Sequence, residues 1–220
     1  MKIMSEILKA AKLDFCLVRP YFKGFRLPFV MALVFCAVNR SLAFGVFFTI
    51  LISTMLIGYP FSISENHGME KMYGILPVLR KHLVIGRYLF TCSIGLMVSL
   101  FSPIINSVIL KAFGETVLFQ EICTTAVIGF GIFSLYTVFQ LPGFYKNGAL
   151  RGKGLMYIIP IIVYLVVMLI LPRLNTADGL SFSFIVSNPA MAAAAVLLVF
   201  ILAYWFSITA SIRALQNKEV

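Results

Sequence analysis

Residues 64–90 read SENHGMEKMYGILPVLRKHLVIGRYLF, a polar island in a chain that is otherwise nearly continuous hydrocarbon. The island holds two acids, both histidines of the protein, a Leu-Pro step and four basic residues. A loop that only reversed the chain between two membrane spans would need a handful of residues. The surplus of length and charge reads as a cytoplasmic handle, and the rest of the sequence is laid out on either side of it.

The flanks are apolar throughout. Of 220 residues, 61% are hydrophobic and 12% charged, with a mean hydropathy of +1.00. A soluble domain of this length has too few interior positions to hide that much apolar area. The expected class is therefore an all-α polytopic membrane protein. The net charge of +10 does not indicate nucleic acid, because the basic residues lie between apolar runs rather than in one soluble arm. Cys16, Cys36, Cys92 and Cys123 lie in or beside apolar segments without a CxxC pair, as small hydrophobes do. Bulky Phe35 before Cys36 argues against a lipoprotein signal, and the long basic N-terminal region fits a cleavable signal peptide poorly.

Six apolar runs are candidate spans, at about 25–38, 42–62, 87–110, 117–142, 154–172 and 184–210. They make one transmembrane domain over residues 1–220, with an interfacial helix in 1–24 and a cytoplasmic coupling segment in 63–86. Pro103, Pro160 and Pro189 fall inside runs, where neighbouring helices or water can satisfy the freed carbonyls. Only Arg40, Lys111 and Arg173, of eighteen Lys and Arg, fall on one side of this layout. The other fifteen lie in the N-terminal segment, the island, the 143–153 loop and the tail. Positive charge stays inside, so both termini are expected in the cytoplasm of a plasma membrane. Residues 2–18 place Ile3, Ile7, Ala11, Phe15 and Val18 on one helical face and Lys2, Glu6, Lys9 and Lys12 on much of the other. That is the spacing of a helix lying in the interface, its lysines toward lipid headgroups.

Chemistry is expected elsewhere. The chain has no GxxxxGK[ST], and His67 and His82 form no HExxH, so no ATP-binding, catalytic or metal site is expected on it. No Asp, Glu, Lys or Arg occupies the middle of a run, where ion-coupled carriers place them. Asn106, Ser93, Ser99, Ser102 and Thr137 read as hydrogen-bond glue between helices. In the handle, Met69, Met72, Tyr73 and Leu76 recur at helical spacing as an apolar ridge, with Glu65, Glu70 and Lys71 off it. Pro77 ends that helix by pushing Leu76 out of the α region. Arg80, Lys81 and Arg87 would then meet the headgroups as the third run begins, as Lys9 and Lys12 do from the N-terminal helix. A small ridge of this kind suits a groove on a soluble partner; an ordinary loop with an interfacial turn is the plainer alternative.

MEKMYGILPVLRKHLVIGRYL, residues 69–89, resembles the coupling segment of ABC-2 type permeases, the membrane subunits of certain ATP-binding-cassette transporters. There, acidic residues and a helix precede Leu-Pro-x-x-Arg, and V-x-x-K/R-Y follows as the third span starts. The matching positions are Glu65, Glu70, Leu76, Pro77, Arg80, Lys81, Val84, Arg87 and Tyr88. The six-run layout and KLD at 12–14 agree, while Leu79 stands where the family commonly has a small hydroxylated residue. The resemblance implies six spans, a coupling helix between the second and third, and pairing with a second permease copy or a related chain. It also implies separate ATPase subunits that carry ATP and Mg and grip Glu65, Met69, Glu70, Tyr73, Leu76, Pro77 and Arg80. The work expected is export of a hydrophobic or amphipathic substrate (drug, peptide or lipid) from a bacterium. A reading from another class is a membrane-embedded scaffold or immunity protein that binds an amphipathic peptide without ATP-driven turnover.

Overall fold

A computed structural model describes residues 2–66, 80–151 and 189–217, together with 154, 158 and 162. Among them every element is helical: α1 (Lys2–Val18), a 3-10 turn (Arg19–Tyr21), α2 (Phe22–Asn39), α3 (Leu42–Asn66), α4 (Arg80–Ala112), α5 (Phe119–Arg151) and α6 (Pro189–Asn217). Helix is what an apolar chain must form away from water, since each backbone N–H and C=O then finds its partner within the segment. α3, residues 81–112 of α4 and residues 119–148 of α5 are long and apolar enough to cross a membrane. Residues 6–24 and 26–39, bent by 62° at the break between Gly24 and Arg26, add a fourth crossing if the pair counts as one span. Most of the 154–172 run lies outside the described residues.

Boundaries move on both sides of the handle. α3 continues to Asn66 and α4 opens at Arg80, so a full turn or more of what reads as loop belongs to the spans themselves. The cause is packing: Ile63 and Ser64 on α3 and Val84, Gly86 and Arg87 on α4 are buried, and burial carries the helices past their apolar runs.

α3 packs against α2, α4 and α5; α1 lies on α4 and α6 on α5. The core between α3, α4 and α5 holds Ile50, Ile57, Phe133, Leu141 and Phe144, none more than 1% exposed. Close approach is set by small residues, as expected where hydrocarbon surrounds the bundle and only packing favours helix contact. A Cβ on Gly95 would stand 2.3 Å from the Phe133 ring, and one on Gly45 would stand 2.6 Å from Cys36 Cβ.

The ends opposite the handle close by local chemistry. Gly114, at φ +84°, ends α4 in a Schellman turn, with Glu115 N–H donating to Leu110 O at 3.1 Å and Gly114 N–H to Lys111 O at 3.0 Å. Arg40 takes the left-handed conformation (φ 48°) between α2 and α3 and reaches Glu115 at 3.7 Å.

Candidate coupling site

Two consecutive residues near the start of α4, Arg87 and Tyr88, join four other helices. The Arg87 guanidinium donates from Nε to Asp14 Oδ2 and from Nη2 to Asp14 Oδ1, both at 3.1 Å. Both partners are buried, Asp14 at 3% exposure and Arg87 at 9%. The guanidinium carbon lies 4.2 Å from the centre of the Phe61 ring and 5.9 Å from that of Tyr145. Phe61 in turn stacks on Phe144 and meets Tyr145 edge-on. One planar cation thus holds α1 through a forked ion pair and α3 and α5 through aromatic faces.

Tyr88 extends the hub to α6, its hydroxyl lying 2.6 Å from Ser207 Oγ and 2.8 Å from Ser211 Oγ. Ser207 also donates to Val138 O at 2.7 Å. That carbonyl needs an outside donor, because Pro142, four residues on, has no N–H to give it. Ser207→Ala therefore strips the carbonyl of its side-chain partner and removes one of two contacts from Tyr88. The expected loss is about 1–3 kcal/mol, read as a lower melting temperature in detergent. Ser211→Ala leaves Val138 satisfied and should cost less.

α1 docks on α4 along one stripe. Glu6 meets His82 at 2.8 Å, a Cβ on Gly86 would come within 2.6 Å of Ala10 Cβ, and Asp14 takes Arg87. Glu6, Ala10, Asp14 and Val18 recur every four residues, and it is this face that turns inward. The sequence-based reading of the faces did not include this stripe: Asp14, absent from the expected apolar face, is buried, while Phe15 on that face is 48% exposed, as a lipid-facing side chain is. Arg87 is corrected, since it points into the bundle rather than to the headgroups. Its attraction to a buried carboxylate and two rings outweighs an interfacial position. Lys9, Lys12 and Lys81 are exposed.

Of the residues read as partner contacts, Met69, Glu70, Tyr73, Leu76 and Pro77 lie outside the described residues. Arg80 opens α4, though its side chain is outside the described set. Glu65, in the last turn of α3, rests against a break in α5: Gly148 has φ +74°, and a Cβ there would stand 2.9 Å from Glu65 Oε1. The handle therefore springs from two helix ends, Asn66 and Arg80, and α4 carries the hub two turns beyond Arg80.

The match of the family model "ABC-2 family transporter protein" spans residues 11–216. The chain belongs to the ABC-2 transporter family. It is a membrane component of an ABC transporter system, multi-pass and helical. No curated protein matches it. No solved structure matches it either. In this permease, Val84, Arg87 and Tyr88 are all buried. The V-x-x-R-Y signature thus acquires a physical content: Arg87 collects α1, α3 and α5, and Tyr88 collects α6. Asp14 was the residue that sequence reasoning missed. Its signal was available as an acid in register with Glu6, Ala10 and Val18.

Proposed function

We propose that this chain is the permease subunit of an exporter for hydrophobic or amphipathic substrates. It pairs with a second permease copy and with separate subunits that bind and hydrolyse ATP. The observation that carries the reading is the position of the Arg87–Tyr88 hub directly behind the helix ends that present the handle. A push or rotation applied to residues 66–80 by closing ATPases would enter α4 at Arg80. It would reach α1, α3, α5 and α6 within two helical turns, through bonds rather than through loose apolar contact.

Affinity purification of the tagged chain from its native membrane tests this. A Walker-motif ATPase is expected to come with it and to be lost when Leu76 and Arg80 are replaced by Ala and Glu. Recovery of the intact chain alone, or with a partner that is not an ATPase, would move the scaffold or immunity reading ahead. Arg87→Ala should behave differently from the handle substitutions, retaining the ATPase while abolishing substrate-stimulated hydrolysis.

A further inference from the structure

α2 and α4 meet near their ends opposite the handle. There Cys36 Sγ lies 4.0 Å from Asn106 O, and both residues press on Gly45 of α3. A Cβ on Gly45 would stand 2.6 Å from Cys36 Cβ and 2.8 Å from Asn106 Oδ1. One to two turns nearer the handle, the space between the two helices is a cleft of about 330 Å³. Phe29 and Leu33 of α2 form one wall, Val98 and Ser102 belong to the other on α4, and Thr49 of α3 is the floor. Toward the handle the cleft is closed again, because Phe29 and Ile94 pack on the apolar cluster of Ile52, Leu56 and Phe90. Its open side runs past Met97, Phe101 and Ile105, all three exposed.

Depth, chemistry and size together restrict what can fill this space. Leu33, Thr49 and Val98 stand about 10–20 Å from the helix ends opposite the handle, at about 1.5 Å per residue. That sets the cleft within the hydrocarbon of a bilayer about 30 Å thick. No lining residue is charged, and the two hydroxyls are engaged within their own helices. Thr49 donates to Gly45 O at 2.8 Å, and Ser102 Oγ accepts from Asn106 Nδ2 at 3.1 Å. Water finds too few partners here, and an empty cleft would forfeit the dispersion contacts of its wall atoms. The volume is at the lower end of ligand pockets, about 300–1,000 Å³. A helix about 10 Å across would use it up in under one turn, so neither another span nor a helix of a second copy fits inside. A slender, flexible hydrocarbon chain does.

We propose that the cleft is a binding site for one acyl chain of a bilayer phospholipid. The chain enters sideways past Met97 and Phe101 and lies between α2 and α4 against Thr49. It supplies the packing that these two helices lack between the Cys36–Asn106 junction and the Phe90 cluster.

Photolabelling of the full chain in phosphatidylcholine nanodiscs tests this, with a phosphatidylcholine that carries a carbene-generating diazirine part-way along one acyl chain. Adducts are mapped by mass spectrometry at two pairs of aliphatic residues, each pair at comparable depth by residue count from the helix ends. Leu33 is compared with Val127, and Val98 with Leu135; the cleft residues are half-buried and their counterparts on α5 exposed. A chain that only samples the surface labels by exposure, so Val127 and Leu135 would lead. A lodged chain reverses that order, and the expected result is labelling of Leu33 and Val98 several-fold above their counterparts. Thr49→Phe, which fills the cleft from its floor, should remove the excess and leave Val127 and Leu135 unchanged. Labelling in the order of exposure, or equal within each pair, would overturn the proposal, whether the cleft is then bare or covered by another part of the chain or a second copy. That wild-type comparison holds even if the variant does not fold. An excess unchanged in a folded Thr49→Phe protein would overturn it as well, because the label would then come from outside the cleft.

Discussion

Arg87→Ala is expected to destabilise the bundle by about 3–5 kcal/mol, because it leaves the Asp14 carboxylate buried without its counter-charge. The size comes from what remains, not from the worth of the bond. An ion pair taken out of water gains little net stability, since each partner gives up its hydration. A single buried carboxylate gives up that hydration for nothing. Two comparisons isolate this cause. Asp14→Leu combined with Arg87→Met removes both charges, and should recover most of the loss seen with Arg87→Ala alone. Lys81→Ala, six residues earlier on the same helix but exposed, should stay within about 0.5 kcal/mol of wild type. Arg87→Lys should not rescue, because one ammonium cannot reproduce the fork to Asp14 and lie flat over Phe61 as well. Unfolding in detergent, followed by denaturant or heat, reads all four. If the double replacement were as damaging as the single one, the hub would be held by shape rather than by charge.

The second large effect is steric and reverses the sign that helix propensity assigns. Alanine is favoured over glycine inside a helix by about 1 kcal/mol. At Gly131 that preference should prevail, since the nearest side-chain atom to an added Cβ is Phe200 Cζ at 3.6 Å, an ordinary contact. At Gly95 the added carbon would meet Phe133 Cδ1 at 2.3 Å and Cε1 at 2.4 Å. Phe133 is fully buried and cannot swing aside, so α4 and α5 must separate. Overpacking of this kind costs about 1–3 kcal/mol. Gly95→Ala is thus expected to lower stability while Gly131→Ala preserves or raises it, and Phe133→Leu in the Gly95→Ala background should restore much of the loss. Gly95→Ala without effect on the melting temperature would mean that the two helices are not in contact at this level.

The signature around Arg87 shows how far the letters alone carry. Its spacing identifies a family and marks the start of a span, but it does not say which way the guanidinium points. On a helical wheel the choice between headgroups and interior is undecided, because the partner that settles it stands 73 residues earlier. Asp14 is similarly ambiguous, one of two acids on a helix that already looks amphipathic with Phe15 on the apolar side. Only when Gly86 lets Ala10 approach α4 do the two charges come within reach, and the whole face of α1 then turns with them. Gln140 gives a milder case. The sequence shows a polar residue near the end of a span, where exposure to headgroups would be ordinary. The fold instead places it at 0% exposure on the inner side of α5.

What the sequence determined by itself was the solvent: hydrocarbon on most faces, and hence helix in every element among the described residues. These are sums over many residues, and no single contact can reverse them. What only the tertiary structure decided was the direction of individual polar side chains. Arg87, Asp14, Tyr88 and Ser207 each have an inward and an outward choice of similar local energy. The choice is made by a partner on another helix, which local spacing does not encode.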